Sequence, residues 1–479
     1  MPMLSNARVD HEDARTRPRQ RLAFILGTIA YTGLLQLAYV EVISPVWEYL
    51  GYTYISPAPT LWIASFVLAI APALWIPVRL TRPSQWLYLY LYLSLYIPLC
   101  FVPLFRGAFE GVTRNRPEYL LGMALVCFAA LGLIYRFPLM SIRFHSVSPT
   151  DFWLLVGTIL VAAYVLVFWS FGGSMQLVMG SESVREQRFL GRDIIGASAF
   201  PLLVGYSLNL AGHSVNPFLM AYGLWTRRTL IFAAGLAGQV FLYSTTAARG
   251  YLATIPMVIL LLTVLGQKRW SVSVFSVWLF VALILMVTVS PLVCSGDAQL
   301  EISWAAYRTF FSPALLTEVY YDLFSESPQT GFSHIRGLGW LADNPYPDRS
   351  IGQVVGDSMG SSESNANANL WADGFASLGF TGMFIATAFA AFVFHLADSA
   401  SEHVDVGMAT AALSCHALSL IDLPIFTAFL GGGLGLSIVL TCLAPRPVKR
   451  ANSTGAAEVV RSTVAGAPRT DPRGDCVAW

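Results

Sequence analysis

Lysine is nearly absent from this chain, which has 2 Lys against 27 Arg in 479 residues, and charged residues of both signs make up only 12%. A soluble domain carries about twice that charged fraction, so an ordinary soluble globular fold is excluded. HExxH, GxSxG and P-loop motifs are missing, and His213, His395 and His416 are scattered without metal-ligand spacing. Chemistry that needs ATP or a bound zinc is therefore unsupported, and no metal or cofactor is expected. The six cysteines, Cys100, Cys127, Cys294, Cys415, Cys442 and Cys476, leave the body of the longest polar segment empty, which rules out a disulfide scaffold or a CxxC metal site there. The terminal CVAW mimics a prenylation box, but Trp is an unusual last residue for one.

What the chain has in quantity is apolar runs, with hydrophobic residues at 55%. Solid blocks such as LLVGTILVAAYVLVFW (154–169) do not alternate as barrel strands would, and in lipid a helix satisfies its own backbone. The expected fold is an all-α polytopic integral membrane protein with about twelve spans. They begin near Leu22, Pro59, Trp86, Tyr119, Phe152, Ile195, Thr229, Tyr251, Val272, Leu370, Gly407 and Ile425. The first is too long for a signal peptide and reads as an uncleaved anchor. Arg8, Arg15, Arg17, Arg19 and Arg21 precede it, and the positive-inside rule then places both termini in the cytoplasm. Alternation puts Arg79/Arg82, Arg136/Arg143, Arg227/Arg228, Lys268/Arg269 and Arg446/Lys449/Arg450 on the same side. The chain divides into a basic N-terminus (1–21), nine spans (22–293) with outer loops at 105–118 and 172–194, and a long extracytoplasmic loop (294–369). Three further spans (370–444) and a cytoplasmic tail of disordered composition (445–479) complete it.

Ten arginines fall outside in this topology: Arg106, Arg114, Arg116, Arg185, Arg188, Arg192, Arg249, Arg308, Arg336 and Arg349. Some are ordinary solvated charges, and VREQR (184–188) can pair internally. Arg249 stands apart because STTAARGYL (244–252) is a very short turn that holds it at the bilayer surface. A guanidinium there suits bidentate grip on a lipid-linked phosphate or diphosphate, or snorkelling to ordinary phospholipid. The long loop is too long to be a passive connector. It opens with an amphipathic helix (301–324) on which Trp304, Tyr307, Phe311, Leu315, Tyr320 and Phe324 line one side. That face fits sugar stacking, and equally a helix lying in the interface. His334 and Arg336 follow among turn-forming glycines, and Asn365, Asn367 and Asn369 precede Asp373 at the mouth of a helix. Those amides and the carboxylate suit sugar hydroxyls as well as loop and N-cap roles. Glu41 and Asp422 are further outer carboxylates.

The order of VREQRFLG (184–191), FLYSTTAARGYL (241–252), YRTFFSPALLTEVYYDLF (307–324) and NANLWADGFASLGFTGMF (367–384) resembles the Wzy-type oligosaccharide repeat-unit polymerases of O-antigen and capsule assembly. The resemblance implies a metal-independent glycosyltransferase in the inner membrane. It would act on undecaprenyl-diphosphate-linked oligosaccharide in the same pathway as a flippase and a chain-length regulator. It implies cationic stabilisation of the departing diphosphate by Arg249 and Arg308, with Arg185 and Arg188 assisting or gripping the acceptor's lipid phosphate. Asp322 or His334 would be the base, with Asp373 a further choice, and Arg336 and Asn367 would bind substrate. Closure of 325–365 over the sugars is expected with it. A lipid-linked oligosaccharide flippase and an O-antigen ligase are the competing readings, the first resting on the break at NLAGHSVNPF (209–218). No nucleic-acid partner is expected.

Overall fold

The computed structural model describes residues 3–107, 113–142, 147–267, 271–360 and 365–445, with side chains from Arg17 onward. Arg143, Lys268, Arg269, the basic cluster at 446–450 and the C-terminal tail lie outside the described residues.

Every regular element among the described residues is helical. Among the described residues, seven helices are long and apolar enough to cross a membrane: α1 (Arg17–Leu50), α3 (Ser84–Phe105), α4 (Pro117–Arg136), α5 (Pro149–Phe171), α8 (Thr229–Thr246), α10 (Val272–Val293) and α13 (Leu370–Ala400). The chain is thus a multi-pass membrane protein. Three further apolar helices, α2 (Pro59–Leu74), α9 (Arg249–Leu265) and α17 (Leu434–Leu443), are shorter; at ~1.5 Å per residue even the longest falls short of a ~30 Å hydrocarbon layer. The span expected near Ile195 divides into two helices. An amphipathic α6 (Ser181–Ala197) stops there, and α7 (Pro201–Leu210, continued through Ala211–Val215 into Asn216–Thr226) begins afresh. The remaining helices are α11 (Asp297–Ala306, continued through Tyr307–Phe311 into Ser312–Glu326), α12 (Ile351–Ser358), α14 (Val406–Leu413), α15 (Cys415–Leu420) and α16 (Ile425–Leu430).

Four π-turns interrupt these helices, at Tyr39–Ile43, Tyr92–Tyr96, Ala211–Val215 and Tyr307–Phe311. A proline follows each by two residues: Pro45, Pro98, Pro217 and Pro313. Proline lacks the N–H of the regular ladder and its ring collides with the carbonyl four residues back; one extra residue in the turn relieves both. The break expected at 209–218 is therefore a widened turn in a continuing helix.

Arginines tie neighbouring helix ends together. Arg21 of α1 donates to the carbonyls of Ala73 (2.8 Å) and Ile76 (2.7 Å) at the end of α2. Arg82, just before α3, donates to Phe137 O (2.8 Å) past the end of α4. The far end of α3 carries Arg106.

The second half of α11 is drawn into the bundle beside α3 and α13, which corrects both expectations for Phe311, Leu315, Tyr320 and Phe324, whereas Trp304 and Tyr307 line a cavity. Phe311, Leu315, Tyr320 and Phe324 are buried; Phe311 meets Tyr39 edge-on at 5.7 Å and Tyr320 O–H donates to Ala366 O at 2.8 Å. Apolar area of this size is worth more against helices than against sugars or headgroups. α13 bends sharply at Leu378 and Gly379, where Gly379 adopts φ +59°. The bend lays the two arms together so closely that a Cβ on Gly382 would stand 1.9 Å from Gly374 O.

Candidate functional site

Helix α6 docks by one stripe and presents another. Val184, Gln187 and Gly191, spaced i, i+3, i+7, are buried. Gln187 Nε2 donates to the carbonyls of Ser174 (3.0 Å), Ser244 (3.2 Å) and Thr245 (3.2 Å), and a Cβ on Gly191 would stand 3.2 Å from Thr245 O. The same spacing shifted by one residue gives Arg185, Arg188 and Arg192, which therefore share the neighbouring face.

That face meets the turn between α8 and α9. Ala247, left-handed at φ +48°, closes α8 by donating its N–H to Tyr243 O at 2.7 Å. Two residues later Arg249 is the first residue of α9, so its guanidinium and the unpaired N–H groups of a helix start bring positive potential to one place. The Arg249 guanidinium lies 4.5 Å from the centre of the Trp304 ring, and Nη2 is 3.3 Å from Glu301 Oε2. Both partners come from α11, whose π-turn then carries Tyr307 and Arg308.

Together these elements enclose a cavity of about 700 Å³ lined by Arg185, Arg188, Arg192, Arg249 and Arg308. Trp47, Tyr49, Trp304 and Tyr307 supply aromatic walls, and Asn365 and Asn367 supply amides. Two acids, Glu182 and Glu186, also line it. Among the described residues, Arg185, Arg188, Arg192 and Arg308 have no carboxylate at ion-pairing distance; Arg249 has Glu301. Burial, then the charges of Arg308, Arg192 and Arg249, lower the pKa of Arg188, so an anion entering the cavity relieves a repulsion already present. Asp422, in the turn between α15 and α16, faces Arg308 and Arg188. Burial pushes its carboxyl up to about 6 while the two guanidiniums pull it back.

Of the residues singled out from sequence, Arg185, Arg188, Arg249, Arg308 and Asn367 meet in this cavity. His334 and Asp373 meet elsewhere: His334 Nε2 is 2.8 Å from Asp373 Oδ1, and Thr330 Oγ1 is 2.8 Å from Nδ1. Both ring nitrogens are thereby engaged. The segment is pinned by Thr330 N–H to Ala376 O (3.0 Å) and Gly331 N–H to Ser377 O (2.8 Å). Arg336 donates to Tyr206 Oη at 3.0 Å.

Asp322 does not line the cavity. It is buried on α11, accepting from Arg106 and from Asn115 N–H (2.9 Å). Arg106 also pairs with buried Glu318, which Arg114 approaches at 3.9 Å. Burial raises both carboxyls and Arg106 counters it. This network ties the end of α3 to α11. Arg192 is the cavity arginine to which the sequence reading gave no role; its helical spacing from Arg188 could have found it. Asp422, noted from its place in a short turn, is not among the residues that line the cavity. Among the described residues, no group of three or more His, Cys, Asp or Glu stands together as a metal would require.

No family model matches the chain, and searches of curated proteins and of solved structures return no match.

Proposed function

We propose that the protein transfers a glycan from a lipid diphosphate to a sugar hydroxyl of a second lipid-linked oligosaccharide, as in repeat-unit polymerisation at the outer face of the cytoplasmic membrane. The observation that carries this reading is the convergence of five arginines from three helices on one cavity with aromatic and amide walls. Guanidinium forks bind the paired oxygens of a diphosphate, and in a partly enclosed site they stabilise the charge that grows as it departs. In the reaction the bond between the sugar anomeric carbon and the phosphate oxygen breaks, and that carbon bonds to the acceptor oxygen. The hydroxyl proton passes to a base, and the carrier diphosphate leaves with the electron pair. Arg249 and Arg308 hold the departing diphosphate, Arg185, Arg188 and Arg192 share its charge or hold the acceptor's phosphate, and Trp47, Tyr49 and Trp304 stack against sugar. The proton acceptor is a carboxylate of this site: Glu182 or Glu186, which line the cavity, or Asp422, whose carboxyl burial raises to about 6 against the pull of Arg308 and Arg188. The clustering of Arg21, Arg79, Arg82 and Arg136 at the opposite helix ends supports a cytoplasmic assignment for that face.

The test is reconstitution. Purified protein in a bilayer, given a lipid-linked oligosaccharide and no nucleotide, should lengthen the lipid-linked glycan and release carrier diphosphate; transfer only to a lipid A core acceptor would instead indicate the ligase reaction. One observation favours the transporter reading. Asn216 Nδ2, Gln239 Oε1 and His416 Nδ1 are buried without hydrogen-bond partners near the α7 π-turn, and polar groups inside membrane helices mark transport routes. Movement of the intact oligosaccharide across the bilayer, with no lengthening, would support it.

A further inference from the structure

Below α6, on the lipid-facing side, α5 and α8 both pack on α7 and leave between them an apolar groove of about 750 Å³. Its walls are Val165, Phe168 and Trp169 of α5 and Ala234, Ala237 and Phe241 of α8. The floor is closed by Tyr164, whose hydroxyl reaches inward to Asn216 Oδ1 at 2.7 Å. Gly238 makes this possible, since a Cβ there would stand 2.0 Å from the Tyr164 oxygen. The one polar atom of the floor is thus turned away, leaving hydrocarbon.

The groove's position is informative. From Leu160 to Gly172, the extent over which α5 lines it, the helix rises about 18 Å, roughly the hydrocarbon depth of a single leaflet. Its outer rim carries Phe168 and Trp169, 60% and 74% exposed, and Trp is a residue type that settles at the membrane–water interface. Helix α6 roofs it: a Cβ on Gly191 would stand 3.2 Å from Thr245 O of α8 and 3.8 Å from the Phe171 ring of α5. The neighbouring face of that roof holds Arg185, Arg188 and Arg192. A hydrocarbon slot therefore ends against the helix whose next face lines the cationic cavity.

We infer that this groove seats the isoprenoid chain of the lipid-linked diphosphate whose headgroup occupies the arginine cavity. The inference rests on the proposed function for its headgroup site and adds the chain site to it. The pairing of slot and cavity selects a single-chain anionic lipid over a zwitterionic one. Because a chain leaving bulk lipid gains little hydrophobic free energy, the groove acts by holding the chain in register with the headgroup, so chain length controls affinity.

The test uses full-length protein in phosphatidylcholine nanodiscs and two probes that share a headgroup, undecaprenyl diphosphate and geranyl diphosphate. Val165→Trp, at a position 61% exposed, and Ala237→Trp fill the slot from opposite walls. Each should weaken undecaprenyl diphosphate binding roughly tenfold and leave geranyl diphosphate binding unchanged. Unchanged undecaprenyl diphosphate binding in both variants, with binding lost in Arg188→Ala, overturns the groove while leaving the headgroup site standing. Equal competition by phosphatidylglycerol, or weakening of both probes alike in both variants, also overturns the groove. Failure of the unsubstituted protein to bind either probe overturns the headgroup reading and the groove with it.

Discussion

Replacing Arg249 with Ala should abolish most diphosphate binding while leaving the fold intact, and the two effects can be sized separately. In the free protein Arg249 is about one third exposed, pairs with a similarly exposed Glu301 at 3.3 Å, and covers Trp304. Such a pair contributes about 0–1 kcal/mol and an exposed cation–π contact about 0.5–1 kcal/mol, so the unfolding temperature should hardly move. Toward a bound diphosphate the same guanidinium supplies charge-assisted hydrogen bonds worth about 1.5–3 kcal/mol, a roughly tenfold to hundredfold loss of affinity on deletion. If it also stabilises the departing diphosphate, turnover should fall by roughly 10²–10³. Arg249→Lys keeps the charge but loses the fork and the flat face over Trp304, so it should recover only part of the loss. Glu301→Gln removes the competing carboxylate and should tighten binding. The assay is a titration of undecaprenyl diphosphate against detergent-purified variants, with thermal unfolding run in parallel. Affinity within twofold of the unsubstituted protein in Arg249→Ala would refute the reasoning.

Other substitutions separate architecture from chemistry. Arg106→Ala strands the buried Glu318 and Asp322 carboxylates and should destabilise by about 3–5 kcal/mol, seen as a large drop in unfolding temperature; an unchanged temperature would contradict the structural role given to that network. Gly191→Val drives a side chain against Thr245 O and lifts α6, so diphosphate binding should weaken roughly tenfold although no arginine is altered; unchanged affinity would contradict the docking described for α6. Asp422, with its carboxyl raised to about 6, is neutral below that pH and charged above it. Its negative charge then competes for Arg188 and Arg308, so affinity for a diphosphate diester, which does not itself titrate in this range, should fall as pH rises through about 6. Asp422→Asn should bind more tightly at neutral pH and lose that dependence, yet turn over slowly if Asp422 takes the acceptor's proton.

Much of this was legible in the chain and some was not, for physical reasons. The apolar runs fixed the class, but counting them overstates the long spans: Pro59–Leu74 and Arg249–Leu265 are apolar without being long. The stripe Arg185, Arg188, Arg192 follows from helical spacing alone. Its meeting with Arg249 and Arg308 depends on Gln187 reaching three carbonyls of another segment, a tertiary fact with no local signature. Asp322 invited assignment as a base because its partner, Arg106, lies 216 residues away. The aromatic face of α11 misled over Phe311, Leu315, Tyr320 and Phe324, because amphipathicity shows that a face is covered and not by what. The four prolines behind the π-turns were visible throughout. Proline's clash with the carbonyl four residues back signals a disturbed helix, and only the packed structure shows that an added residue absorbs it.

The most direct measurement is the lipid-linked glycan profile of a cell lacking this protein and complemented with either the unsubstituted chain or Arg249→Ala. A single undecaprenyl-linked repeat unit should accumulate on the outer face, cleared by the unsubstituted chain and not by the variant. Long glycan still forming on its lipid carrier in the absence of the protein would contradict the account.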